Sequence, residues 1–151
     1  MSDTKEKEEE EKQVIIVRGC SGSGKTTFIE ENYPDAVVCS ADDFFEEMAM
    51  LNGTSYAEEF QPWLLSRAHQ FCWGTFIHAV AVMGEKLVAV DNTNICGWEF
   101  ENFETLAKAL GYDVHIKIMP MNEPAEVYHK RNKHGVPLEA IRRMKRNFEL
   151  N

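Results

Sequence analysis

Residues 19–26 read Gly-Cys-Ser-Gly-Ser-Gly-Lys-Thr, a spacing of glycine, lysine and hydroxyl that can hold a polyphosphate. Gly19, Gly22 and Gly24 stand where a backbone must turn with positive φ and come close to a ligand. The N–H groups of such a turn, running into a helix N-terminus, converge on one anion. Lys25 is then expected to reach the β- and γ-phosphates, and the Thr26 hydroxyl to ligate Mg²⁺. The nucleotide-binding set is Gly19, Cys20, Ser21, Gly22, Ser23, Gly24, Lys25, Thr26 and Thr27. The chemistry indicated is binding of a nucleoside triphosphate.

Three carboxylates and a guanidinium extend the set toward phosphoryl transfer. That reaction needs its charge neutralised and its acceptor aligned, and leaves the protein little covalent work. Asp42, in Ser40-Ala41-Asp42-Asp43, is read as the general base that takes the acceptor's proton. Asp43 either caps the helix beginning there or stands behind the site. Asp91, in Asp91-Asn92-Thr93-Asn94, holds Mg²⁺ through water or binds the acceptor, and the residues leave both roles open. Arg131 is read as the cation of a lid over the triphosphate, because a guanidinium makes paired hydrogen bonds to phosphate oxygens. Gly135 would be the lid's hinge. His134 either caps a helix end or meets a phosphate. Arg142, Arg143 and Arg146 face the acceptor's phosphates or water.

The elements that must position these groups follow from apolar runs and their breakers. Strands are expected over about 13–18, 36–39, 87–90 and 114–119, and helices over 25–32, 42–51, 62–83, 98–110, 123–133 and 138–149. Pro34 bars the first helix from continuing, Pro62 suits the first turn of the long one, and Gly84 and Gly111 end theirs. Strands alternating with helices predict an α/β, three-layer fold with a four-stranded, mostly parallel sheet. In such sheets ligands gather beyond the carboxyl ends of the strands. The phosphate loop, Asp42 and Asp91 each follow a strand, so one edge collects them all. The C-terminal helices would form the lid.

With 151 residues the chain is read as one domain, 13–151, behind an acidic tail, 1–12, expected to be disordered. No apolar run approaches the roughly 20 residues of a membrane span. The charged start does not look like a secretory signal. Four cysteines without C-x-x-C spacing suit free thiols in a reducing cytosol, so a cytoplasmic setting is expected. His69 and Cys72 share a helical face, where packing is a better account than metal binding. Net charge is −9, yet residues 129–151 hold seven basic and two acidic groups. That suits gripping a few phosphates and argues against a general nucleic-acid coat.

Four marks in this order resemble the kinase domain of phage polynucleotide kinases, and the related kinase-like domain of some eukaryotic ubiquitin-ligase-binding proteins. They are Gly-Cys-Ser-Gly-Ser-Gly-Lys-Thr-Thr at 19–27, Ser-Ala-Asp-Asp-Phe-Phe at 40–45, Asp-Asn-Thr-Asn at 91–94 and Arg-Asn-Lys-His-Gly-Val-Pro at 131–137. The resemblance implies a P-loop kinase fold, with transfer of the ATP γ-phosphate to the 5′-hydroxyl of DNA or RNA. It assigns Lys25 and Thr26 to triphosphate and metal, Asp42 to the base and Arg131 to the lid. It also implies a tunnel admitting one single-stranded end, and, for a phage gene, a host cytoplasm. Two positions depart. The phage enzymes carry an acceptor-binding arginine three residues after the base, where this chain has Phe45. They carry a lid arginine just before the glycine, where this chain has His134. Phe45 would stack on a base or lie in the core, and the core is favoured. Alternatives are a kinase for another hydroxyl, on a nucleoside, a nucleotide or a modified base, and a nucleotide-switched module without transfer.

Overall fold

The run Val14–Val17 is essentially inaccessible to solvent and forms the middle of β1 (Gln13–Arg18), one strand of a four-stranded sheet. The computed structural model describes residues 11–149, so most of the expected acidic tail lies outside the described residues. The other strands are β2 (Val37–Cys39), β3 (Leu87–Asp91) and β4 (Asp113–Ile118), in the order β2-β3-β1-β4. Every pairing among them is parallel. Alternate residues of β1 face opposite layers, as the period of a strand requires. Val14 and Ile16 join a core with Phe45, Phe76, Phe100 and Phe103, while Ile15 and Val17 pack with Ile29 and Met119.

Register then places the chemistry. Val17 is paired with Asp91 and Cys39 with Val90, so the segments following β1, β2 and β3 leave the sheet side by side. The helices are α1 (Lys25–Asn32), α2 (Asp42–Asn52), α3 (Tyr56–Glu59), α4 (Leu65–Ile77), α5 (Gly97–Ala109), α6 (Ala125–Arg131) and α7 (Leu138–Asn147). β4 is an edge strand among the described residues, with Ile116 and Ile118 partly exposed. No helix among the described residues is long and apolar enough to cross a membrane.

Three expectations need correction. The long helix expected over 62–83 is divided into a 3₁₀ turn at Pro62–Leu64, α4, and a π turn at His78–Val82. In the π turn the Met83 amide reaches back to the His78 carbonyl, and this wider winding buries both Ala79 and Val80 ahead of Gly84. The second is α3, a short helix in a stretch to which the sequence reading assigned no element. Ser55 starts it by accepting a hydrogen bond from the Glu58 amide at 3.2 Å. Third, α6 begins at Ala125 and α7 ends at Asn147, each a little inside its expected span. Cys20, Tyr128, Ala125 and Ile141 form a small core that seats α6 and α7 on the phosphate loop.

Candidate active site

Gly24 takes a left-handed conformation (φ 92°) and starts α1 without any side-chain cap, leaving the first amides of the helix for an anion. Gly22 is the tightest point of the loop. Its φ is 81°, and a Cβ there would lie 2.1 Å from the Tyr128 carbonyl oxygen, so α6 and the loop meet at a distance that only glycine permits. The buried Ser23 Oγ has no hydrogen-bond partner. A buried hydroxyl inside an uncapped loop is what a phosphate oxygen would satisfy. The Lys25 ammonium is buried and donates to the carbonyls of Gly19 (3.1 Å) and Cys20 (3.0 Å). Burial lowers its pKa, opposed by the charges of Asp91, Cys20 and Asp42.

The Thr26 hydroxyl donates to Asp91 Oδ2 at 2.7 Å. Burial raises the Asp91 pKa, while the Thr26 hydroxyl and Lys25 lower it. A hydroxyl and a carboxylate together are hard oxygen donors of the kind Mg²⁺ takes, with phosphate oxygens and water completing six. Among the described residues no cluster of three metal-ligating acids, histidines or cysteines exists. A metal held here would therefore depend on the nucleotide for most of its ligands.

Asp42 opens α2, and its charge is felt by both Lys25 and Asp91. Its Oδ1 accepts the Tyr56 hydroxyl at 2.7 Å, and His134 Nε2 lies 3.6 Å from its Oδ2. The His134 ring rests on Tyr56, centroids 4.1 Å apart, so the loop after α6 meets α3 beside Asp42. Gly135 next to it has φ 69°, a left-handed conformation that favours glycine. His134 caps no helix; its Nε2 stands beside one oxygen of a carboxylate that remains half exposed. Arg131 ends α6 exposed, with no hydrogen bond or ion pair among the described residues. The structure thus brings together Lys25, Thr26, Asp91 and Asp42, and leaves Arg131 free at the rim.

Other expectations resolve differently. Phe45 is fully buried, ringed by Phe44, Tyr56 and Phe60 at 5.0–5.5 Å, so it is core and offers no face to a base. Arg142 pairs with Glu126 at 2.8 Å and Arg146 with Glu139 at 3.4 Å, as solvated surface ion pairs, whereas Arg143 is exposed. Asp43 does not cap α2, whose N-terminus has no side-chain cap.

Burial, with Glu46, Asp42, Glu47 and Asp91 nearby, instead pushes the Asp43 carboxyl from 3.8 up to about 6. The folded protein therefore holds this proton more tightly than the unfolded chain, and stability falls as pH rises from about 4 to about 6. Asp43→Asn is expected to melt higher than the parent above about pH 6, by no more than about 1 kcal/mol for a half-buried group. The difference should close near pH 4. Thermal melts of both proteins at the two ends of that window check it, and an equal difference at both ends would exonerate the carboxyl.

Two contributors were not singled out from the sequence. Arg18, at the end of β1, is buried between the rings of Phe100 and Phe148, at 4.4 and 4.5 Å. Its Nε donates to the Asn94 carbonyl at 2.8 Å and its Nη2 to that of Ile95 at 3.0 Å. Asn94 sits at φ 49° and ties itself back to the Val17 carbonyl at 3.0 Å. Together they fix the segment after Asp91 against the phosphate loop. A charged residue closing a buried strand was the available signal for Arg18.

A sequence profile described as an AAA domain matches residues 14–151. The chain belongs to that family. NEDD4-binding protein 2 of Homo sapiens is 28% identical over 147 residues, which take in 90% of this chain but 8% of the human protein. A gluconokinase from Sinorhizobium meliloti 1021 superposes with a TM-score of 0.51 and 18% identity, over 91% of this chain and 75% of that one. At that identity the likeness is one of fold, and the fold is that of P-loop kinases: a parallel sheet flanked by helices. The family member thus has a P-loop kinase-like fold.

Proposed function

We propose that this domain transfers the γ-phosphoryl group of ATP to the 5′-hydroxyl of a single-stranded DNA or RNA end. The observation that carries the transfer reading is Asp42. It stands close enough to Lys25 and Asp91 to act on both electrostatically, yet takes no part in the phosphate loop. Nucleotide binding alone needs no such carboxylate, whereas transfer needs a group to orient and deprotonate an acceptor. The order of the four motifs supports a polynucleotide as acceptor, and the basic residues 129–151 support phosphate contacts near it.

In this reading the phosphate loop and Lys25 hold the β- and γ-phosphates, and Thr26 and Asp91 hold the metal. Mg²⁺ bound there supplies neutralisation of the charge that builds on the phosphate oxygens. Asp42 accepts the proton of the acceptor hydroxyl as its oxygen bonds to the γ-phosphorus. The bond from that phosphorus to the bridging oxygen breaks, and ADP leaves with the electron pair. Arg131 swings in from the rim to pair with phosphate oxygens.

One observation favours a second reading. With Phe45 buried, no side chain at that position can hold a neighbouring phosphate of a strand, as a smaller hydroxyl acceptor would not require. Labelled ATP with Mg²⁺, offered to 5′-hydroxyl DNA and RNA oligonucleotides, nucleosides, nucleotides and hydroxymethylated DNA, separates the two. Label is expected on the oligonucleotide ends. Label confined to small molecules selects the second reading, and ATP hydrolysis without any labelled acceptor rejects transfer altogether.

A further inference from the structure

We infer that Tyr56 is the positioning residue for Asp42, holding its carboxylate so that one oxygen alone is presented to the acceptor hydroxyl. This rests on the reading of Asp42 as the base. The Asp42 side chain is 47% exposed, and a carboxylate that open on the first turn of a helix has several staggered rotamers available to it. The Tyr56 hydroxyl bonds Oδ1 at 2.7 Å and selects one. Oδ2 is left without a hydrogen bond: His134 Nε2 lies over it at 3.6 Å, beyond that range, and an incoming hydroxyl would take the place of the imidazole there.

The tyrosine is itself held in place. Its ring stacks on Phe60 at 6.0 Å, meets Phe45 edge-on at 5.5 Å and carries His134 on its outer face. Those contacts anchor it to the core on one side and to the loop after α6 on the other. Burial and the bond to Asp42 raise its pKa, so the phenol keeps the proton it donates. Its helix, α3, carries this side chain over the start of α2, while Glu59 on the same helix accepts hydrogen bonds from Asn52 and Thr54 and so fastens it to the end of α2. A hydrogen bond that fixes a reacting group within a few tenths of an ångström acts on turnover more than on binding.

Tyr56→Phe keeps the ring packing and removes the hydroxyl. Transfer is expected to lose about tenfold or more in kcat, with KM for ATP and the melting temperature unchanged. Added to Asp42→Asn, the same substitution should cost nothing further, because the two act as one unit. A purely structural tyrosine would leave kcat of the phenylalanine variant alone and show its effect only in Tyr56→Ala, as a lowered melting temperature. Turnover of Tyr56→Phe within about twofold of the parent, while Asp42→Asn is crippled, overturns the inference and spares the base. An equal loss on both backgrounds also overturns it. If Asp42→Asn itself transfers at the parental rate, the base reading fails and the role of Tyr56 fails with it.

Discussion

Asp42→Asn is expected to slow phosphoryl transfer by about 10²–10⁴-fold, the range lost when a positioned general base is removed. The substitution keeps the shape of the side chain and an oxygen for the Tyr56 hydroxyl to bond, so the aromatic packing around it should stand. What goes is a lone pair able to take a proton. ATP affinity should stay near the parental value, because Asp42 contributes only a distant charge to Lys25 and no hydrogen bond to the phosphate loop. Lys25→Ala is the contrast. It removes the ammonium that ties the carbonyls of Gly19 and Cys20 and would face the phosphates, so ATP binding falls along with turnover. Single-turnover transfer and equilibrium nucleotide binding, measured on both variants, make the comparison. Full transfer by Asp42→Asn would mean that another group takes the acceptor's proton, whereas ATP turnover with no labelled acceptor in the parent would leave the domain a plain hydrolase.

The parts of this site that could be read in the sequence are the parts built from neighbours in the chain. The strand from Gln13, the loop and Lys25 lie within 13 consecutive residues, and their geometry is set by local glycine and helix-terminus rules. Asp42 and Asp91 were found because a parallel sheet delivers its strand ends to one edge whatever the details of packing. The Tyr56–Asp42–His134 contact obeys no such rule. It joins the start of one helix, a short helix 14 residues on and a loop near the C-terminus, and depends on how α3 folds back onto α2. The signal for α3 itself was present: Ser55 and Glu58 have the spacing that caps a short helix. The division of the long helix was not visible, since a π turn costs only a shift in winding and carries no composition of its own. Phe45 is read as core, as the structure has it, whereas Arg131 is read as a lid cation and stands exposed at the end of α6.

Arg18→Ala is expected to cost roughly 3 kcal/mol or more of folding stability, because each buried acceptor left without its donor costs about 1–3 kcal/mol. For a chain of this size that is a fall of roughly 6–12 °C in melting temperature. Three groups lose their partner at once: the carbonyls of Asn94, Ile95 and Glu149, which this guanidinium gathers. The rings of Phe100 and Phe148 lose the flat cation between them. Burial already lowers the Arg18 pKa, with Glu149 and Glu99 opposing, so the charge is kept at a cost that its contacts must offset. Arg18→Lys should recover part of the loss, because an ammonium keeps the charge but cannot stack flat between two rings while forking to separate carbonyls. The damage should also reach the nucleotide. The Gly19 amide donates to the Thr93 carbonyl at 2.9 Å, one residue before the Asn94 that Arg18 holds, so loosening that segment loosens both the phosphate loop and Asp91. ATP should therefore bind more weakly to Arg18→Ala than to the parent at a temperature where both are folded, although Arg18 itself touches no phosphate. A melting temperature within about 2 °C of the parent would mean that solvent replaces the guanidinium without loss, and that the C-terminal segment is held by Phe148 and Glu149 on their own.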